Sequence, residues 1–307
     1  MIKTPDDYLN KPLDKETFSE GVTKLIKRLS YTKSLDECFK FYIEDYQVGF
    51  VIPKLAEQLL NYPEVFIIQN RRCILNPDLK TFQERTNSVE RILLDLKSKN
   101  VLKSLDGWRD EHYFVRQSFN SEPLMSLERA AVHMFGIKAY GCHINGYIKK
   151  DGEYLIWIAR RSKTKQTYPH MLDNFVAGGI SAGLGIIECA KKELEEEAGL
   201  PLELCSKLKS VDAISYCFEN DMGIHMEGEF VFDLKLPIDF EPKNQDGEVD
   251  CFYLMNINQV KNAILSDEFK LNSAIVTLNF LMRKSLVNPD EPLNYYQILE
   301  NIHKPGL

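Results

Sequence analysis

The chain contains no apolar run approaching the roughly 20 residues that a membrane-spanning helix needs, so no such span is expected in its 307 residues. Its opening stretch, "MIKTPDDYLNKPLDKE", mixes acids and bases without an apolar segment and does not read as a signal peptide. Basic charge is in deficit: 38 Lys+Arg stand against 45 Asp+Glu, a net charge of −7. The overall field therefore disfavours non-specific binding to nucleic acid or to anionic membranes, although a local basic pocket remains compatible with it. Cysteine pairs are missing as well. Cys38, Cys73, Cys142, Cys189, Cys205, Cys217 and Cys251 are scattered, odd in number and without a CxxC. That argues against a zinc site or disulfide framework and for reduced thiols in a cytoplasmic protein. There is no internal repeat and no low-complexity linker.

What is present is ordinary globular composition, 44% hydrophobic and 27% charged, at a length that suits two domains. Residues 1–115 read as an N-terminal α+β accessory domain. "FSEGVTKLIKRL", "IPKLAEQLLN" and "SVERILLDLKSKN" carry helical apolar spacing, while "EVFIIQN" and "RRCILNP" are short strands. Residues 116–307 read as an α/β domain. "FGIKAYGCHINGYIKKDGEYLIWIARRS" predicts a hairpin turning at Lys150-Asp151-Gly152, and "AISYCF", "GEFVFDLKL" and "DGEVDCFYLM" predict further strands. "INQVKNAIL" and "NSAIVTLNFLMRKSL" predict late helices.

The stretch that demands explanation is "GGISAGLGIIECAKKELEEEAGL". Taken as a helix over 186–198, it places Ile187, Ala190, Leu194 and Ala198 on one apolar stripe, with Gly199 at the C-cap. Glu193, Glu196 and Glu197 stand at i, i+3 and i+4, so their carboxylates converge. Exposed like-charged pairs at such spacing cost about 0.2–0.5 kcal/mol each. A hard divalent cation removes that penalty, because it takes oxygen ligands and tolerates crowded carboxylates. The glycines before the helix, Gly178 and Gly179, read as a loop whose backbone approaches phosphates. A merely solvated acidic face is the alternative, but glycines, stripe and terminal glycine share one register. The chemistry indicated is that of a metal-assisted phosphate ester.

That register resembles the Nudix box, G-x5-E-x7-R-E-U-x-E-E-x-G-U with U aliphatic. Here it reads Gly178, Leu184, Lys192, Glu193, Leu194, Glu196, Glu197, Gly199, Leu200. The resemblance implies a Nudix α/β/α sandwich in which Glu193, Glu196 and Glu197 hold Mg²⁺ or Mn²⁺ and take part in catalysis. Two positions depart. Leu184 replaces the first glutamate, and Lys192 replaces an arginine that orients the neighbouring glutamate, keeping the charge while losing the bidentate fork.

"WIARRSKTKQTYPHMLDNFVAGGI", "DGEVDCFYLM", "GWRDEHYFV" and "FGIKAYGCHINGY" further resemble Nudix proteins of fungi and plants related to thiamine pyrophosphokinase, which carry an extra N-terminal domain. The resemblance implies a metal-dependent diphosphatase acting on thiamine diphosphate or on damaged oxo- and oxythiamine analogues, a metabolite-repair activity. Its partner would be a small-molecule diphosphate, with the protein a monomer or homodimer. In this frame Arg161 of "RRS" grips the diphosphate together with Gly178, Gly179 and Lys192, and Glu248 of "DGEVD" completes the metal shell or acts as general base. Arg160, Lys163 and Lys165 are further basic candidates. Glu227 matches an acidic position of the subfamily but reads as an exposed strand acid. His143 and His170 read as structural, Trp157 as core, and Trp108 as open to a ring-stacking role. Competing functions are hydrolysis of oxidised nucleotides such as 8-oxo-dGTP, isomerisation of an isoprenoid diphosphate, and non-catalytic ligand binding.

Overall fold

The computed structural model describes residues 2–3, 6–30, 32–290 and 294–303. The chain begins with a short strand, β1 (Ile2–Lys3), and an amphipathic helix, α1 (Lys15–Leu29). Asp14 caps α1 by accepting the Thr17 N–H at 2.8 Å. Next come β2 (Phe39–Ile43), β3 (Tyr46–Val51), α2 (Pro53–Leu59), β4 (Phe66–Gln69), β5 (Arg72–Leu75) and α3 (Phe82–Ser98). A ribbon of β6 (His112–Val115) and β7 (Met125–Glu128) leads into β8 (Lys138–Lys150) and β9 (Glu153–Arg161). Beyond them lie β10 (Leu172–Asp173), β11 (Val176–Gly179), α4 (Ile186–Ala198) and α5 (Leu202–Cys205). The hairpin β12 (Lys209–Asn220) and β13 (Gly223–Lys235) precedes β14 (Val249–Asn256) and the helices α6 (Ile257–Leu265), α7 (Leu271–Arg283) and α8 (Tyr295–Ile302).

The large mixed sheet runs β1-β14-β9-β8-β13-β12, with β10 on β9 and β11 on β8. β8 and β9 meet through Asp151 and Gly152, whose φ values of 49° and 88° are what a tight two-residue hairpin requires. Strand alternation then sorts the side chains into two cores. Ile156 and Ile158 of β9 join α1, α6, α7 and α8 on one face, while Trp157 and Ala159 join α4 on the other. The result is the expected α/β/α sandwich.

The N-terminal sheet, β3-β2-β5-β4, has its own core around Phe41, Phe66 and Phe135. That apolar cluster reaches from Phe41 to Ala139, past the junction expected at 115/116. At the other end, Phe18, Val22 and Leu25 of α1 pack into the C-terminal core, and β1 pairs with β14. Apolar periodicity identifies α1 as a helix but carries no information about which sheet it covers.

Candidate active site

The helix α4 ends where its glycine predicts. Gly199 takes φ 61° and ψ 34°, its N–H returns to the Glu195 carbonyl at 2.9 Å, and the Leu200 N–H returns to Leu194 at 3.0 Å. The apolar stripe is Cys189, Ala190, Leu194 and Ala198. Ile187, expected in it, is 49% exposed. The stripe is rotated by part of a turn toward the side on which Cys189 meets Cys142, Sγ to Sγ 3.4 Å.

This rotation sets the three glutamates at different depths. Glu196 is half-buried and receives Lys192 Nζ at 2.6 Å; the same ammonium lies 3.4 Å from Glu193 Oε1. Burial alone would weaken Lys192 as a base, yet its bond to Glu196 and the charge of Glu193 raise its pKa above the usual lysine range. Lys192 thus tethers both carboxylates with single contacts, where an arginine would offer a fork. Glu193 is half-enclosed, and burial raises its pKa against the pull of Lys192. Glu197 is buried, takes one hydrogen bond from the Ala177 N–H at 3.1 Å, and is pushed up to about 8 by burial, with Lys165 opposing and Glu193 reinforcing. Leu184, which stands where the box has a glutamate, packs against the core beneath α4.

Gly178 and Gly179 do not form a phosphate loop. They end strand β11, opposite Cys142 and Gly141 of β8. A Cβ on Gly178 would fall inside the van der Waals envelope of Glu193 Cγ and Cδ, and one on Gly179 would collide with the Tyr113 hydroxyl. These glycines let a carboxylate and a phenol press onto opposite faces of one strand. Two glycines in sequence carry no side-chain alternation, which is why the strand was hidden.

The basic run resolves into separate roles. Arg161 is buried, and its donors reach the Asp173 carboxylate at 2.8 Å, the Tyr168 carbonyl at 3.0 Å and the Thr167 carbonyl at 2.9 Å. It clamps the 162–171 loop instead of facing a ligand. Arg160 is held by Glu268 at 2.8 Å. Lys165, carried on the clamped loop, bonds Glu248 and lies within electrostatic reach of Glu197. Burial lowers its pKa in spite of that carboxylate. The loop bearing Glu248 is fastened to the C-terminal end of α4, because the Lys243 and Gln245 N–H groups both reach carbonyls of α4, Ala198 and Glu196, at 2.9 Å. Glu193, Glu196, Glu197, Glu248, Lys165 and Lys192 therefore meet at one end of the sheet.

The N-terminal part of the chain supplies a wall. His112 accepts the Ala182 N–H at 2.7 Å through its carbonyl, Glu111 accepts the Ser181 hydroxyl at 2.7 Å, and Arg129 pairs with Glu111 at 2.8 Å. Trp108 is not poised to stack on a ligand; it packs on the N-terminal core, bonds Asp110 and lies under Lys97. Trp157 lies in the core beneath α4.

Some participants are not legible one residue at a time. Glu227 is no exposed strand acid: with a side chain 20% exposed, it accepts from the Tyr216 hydroxyl. Glu229, two residues on and on the same face of β13, accepts from the same hydroxyl at 2.7 Å and from Asn272 at 3.0 Å, and His143 lies 3.5 Å away. Period-2 spacing of the two acids on a strand with apolar neighbours was the available signal.

The family described as NUDIX domain matches residues 146–274, and a domain of unknown function, DUF4743, matches residues 21–139. The chain is 38% identical over 288 residues to Nudix hydrolase 20, chloroplastic, of Arabidopsis thaliana, covering 88% of this chain and 75% of that protein. It is 37% identical over 280 residues to Nudix hydrolase 24, chloroplastic, of the same plant, covering 88% and 74%. Among solved structures, DR0079 from Deinococcus radiodurans superposes with a TM-score of 0.41 at 17% identity, covering 55% of this chain and 98% of that one.

Proposed function

The chain belongs to the Nudix hydrolase family and is a diphosphate hydrolase, and from that premise we propose that it cleaves thiamine diphosphate or its oxo- and oxythiamine analogues to the monophosphate and inorganic phosphate. Nudix enzymes use divalent metal ions. The residues here fit one: Glu193 and Glu197 are enclosed carboxylates whose proton affinity is raised because burial leaves their charge under-compensated. All the converging donors are hard oxygens. Glu193, Glu196 and Glu197 would hold Mg²⁺ or Mn²⁺. When bound, the ion supplies positive charge to the diphosphate oxygens and acidifies a water molecule.

The chain's own residues do the rest. A carboxylate at this end of the sheet accepts the proton of the attacking water as the P–O–P bond breaks, and Glu248, which stands outside the trio that would hold the ion, is the candidate for that task. Lys192 keeps Glu193 and Glu196 from splaying into solvent. Lys165 brings a positive charge to the site from the opposite side, on a loop that Arg161 holds in place.

The thiamine reading comes from the subfamily resemblance, and one observation supports it. The segment Gly107–Val115, part of the subfamily resemblance, is hydrogen-bonded directly to residues 181 and 182 just ahead of α4. The N-terminal part of the chain is thus placed to shape what enters. All seven cysteines are free thiols, which supports a reducing compartment such as the cytoplasm.

The test is metal-dependent phosphate release across thiamine diphosphate, its oxidised analogues, 8-oxo-dGTP and ADP-ribose. Preference for the thiamine series is expected. Release from 8-oxo-dGTP or ADP-ribose alone would replace the substrate assignment, and no release from any of them would favour a binding module.

A further inference from the structure

Arg161 is spent on Asp173 and on the 162–171 loop, which leaves the diphosphate without the arginine expected for it. A different guanidinium reaches the same region from the N-terminal part of the chain. Arg129 follows β7, and its Nη2 lies 3.7 Å from the point where a Cβ on Gly179 would stand. Gly178, one residue earlier, faces Glu193 at the corresponding point on the other side of β11. One strand therefore has an arginine against one face and a candidate metal-holding carboxylate against the other.

The two faces communicate over an open edge. Among the described residues β11 pairs with β8 alone, and on its other edge the Ala177 N–H donates to Glu197 at 3.1 Å. Lys165 lies within electrostatic reach of both Glu197 and Arg129. A ligand lying over that edge can meet the α4 carboxylates, the Lys165 ammonium and the Arg129 guanidinium together.

Arg129 has donors to spare and is held in place. Its Nη1 bonds Glu111 Oε2 at 2.8 Å, whereas Nε and Nη2 have no acceptor among the described residues. Those two atoms form the side-on fork that a phosphoryl group accepts in a bidentate contact. The side chain is 33% exposed, so the fork is open to a ligand. The Arg129 backbone N–H donates to the Glu111 carbonyl at 2.8 Å, and the Tyr113 ring lies 5.5 Å from the guanidinium carbon. Glu111 is fixed in turn by the Ser181 hydroxyl at 2.7 Å, which ties the arginine to the segment just ahead of α4. Glu227, the other carboxylate in electrostatic reach of Arg129, is already engaged by the Tyr216 hydroxyl and by His225. Arg109 adds a second positive charge within reach of the first.

We propose that Arg129 binds the diphosphate of the substrate, its Nε and Nη2 donating to phosphoryl oxygens on the side away from the α4 carboxylates. The assignment rests on α4 as the hydrolytic site and is independent of the thiamine reading. The N-terminal part of the chain then contributes a binding residue as well as a wall.

Methylenediphosphonate probes this directly, because its bridging carbon resists hydrolysis and it carries nothing resembling thiamine. Calorimetric titration into the full chain saturated with Mg²⁺ should show one site in the wild type. Arg129→Ala should weaken binding about 10- to 100-fold, the scale of one or two hydrogen bonds to a charged group. Glu111→Gln breaks the same ion pair but leaves the guanidinium in place, so affinity should hold or rise. No uptake by the wild type, equal affinity in Arg129→Ala, or equal losses in both variants overturns the proposal, the last by showing that the ion pair acts only through the wall. Binding that ignores Glu193→Gln yet falls in Arg129→Ala would support the arginine while removing Glu193 from the site. Should Arg129→Ala fail to fold, wild-type crystals soaked with methylenediphosphonate and Mg²⁺ decide. Phosphonate oxygens on Nε and Nη2 support the assignment, and a diphosphonate held elsewhere overturns it.

Discussion

Asp173 and Glu197 are buried to the same degree, 4% and 5% exposed, yet their proton affinities move in opposite directions. Asp173 pairs with Arg161 at 2.8 Å and receives the Ser273 hydroxyl and the Asn174 N–H. Burial would raise its pKa, but Lys270 and Arg161 carry it well below the carboxylate range. Glu197 has a single backbone donor, and the cation facing it, Lys165, is bonded to Glu248. Its pKa rises to about 8. Depth is therefore not what separates a carboxylate held ionised from one whose charge is left under-compensated. The difference is whether the fold supplies the compensating charge or leaves it to a ligand.

The sharpest way to break this contrast is Glu197→Gln. Loss of a carboxylate proposed to hold the ion is expected to lower kcat by about 10–100-fold or more while the thermal midpoint of the metal-free protein holds or rises. Wild-type turnover in that variant would remove Glu197 from the chemistry. Arg161→Ala should do the converse. Removing the closer of the two cations at Asp173, with Lys270 left 3.9 Å away, should cost no more than the about 3–5 kcal/mol of a fully broken buried pair, readable as a lower urea midpoint, and Arg161→Lys should not restore the loop clamp. An unchanged urea midpoint would mean that Asp173 is not held as the structure shows.

Gly178→Ala refines the contrast on the reactive side. The added methyl displaces Glu193, a flexible side chain, so folding should change little. Mn²⁺ affinity measured by calorimetry should fall roughly 10-fold or more, the scale on which disturbed support of a ligand acts. Equal affinity would detach Glu193 from the ion.

A further effect is one of pH. Glu197 keeps a proton in the folded state that it gives up near 4.5 when unfolded. The stability this confers on the metal-free protein is complete below about 4.5 and is lost as pH rises through about 8. Thermal midpoints of wild type should fall relative to Glu197→Gln across that window, and parallel curves would mean that Glu197 ionises normally in the fold.

Much of the reactive side was legible because it is local. A 3.6-residue repeat, three acids on one face and a closing glycine lie within one helix, and Gly199 takes the left-handed conformation its position implied. The errors arose where contacts are long-range. Ile187 is exposed because Cys142 on another strand sets the rotation of α4. Arg161 was read as a ligand-facing donor because Asp173, Thr167 and Tyr168 lie across a turn the sequence does not display. Glu227 reads as exposed in the sequence because the Tyr216 hydroxyl that covers it comes from the neighbouring strand β12.

The sequence by itself determined the α4 helix, the convergence of Glu193, Glu196 and Glu197, and the hairpin of β8 and β9, since each rests on a repeat or turn spanning a few residues. Only the tertiary structure decided which charges are neutralised from within, that Gly178 and Gly179 belong to a strand, and that α1 covers the catalytic sheet. Those outcomes depend on partners up to hundreds of residues apart in the chain, and an electrostatic environment belongs to the packed assembly, not to any segment of it.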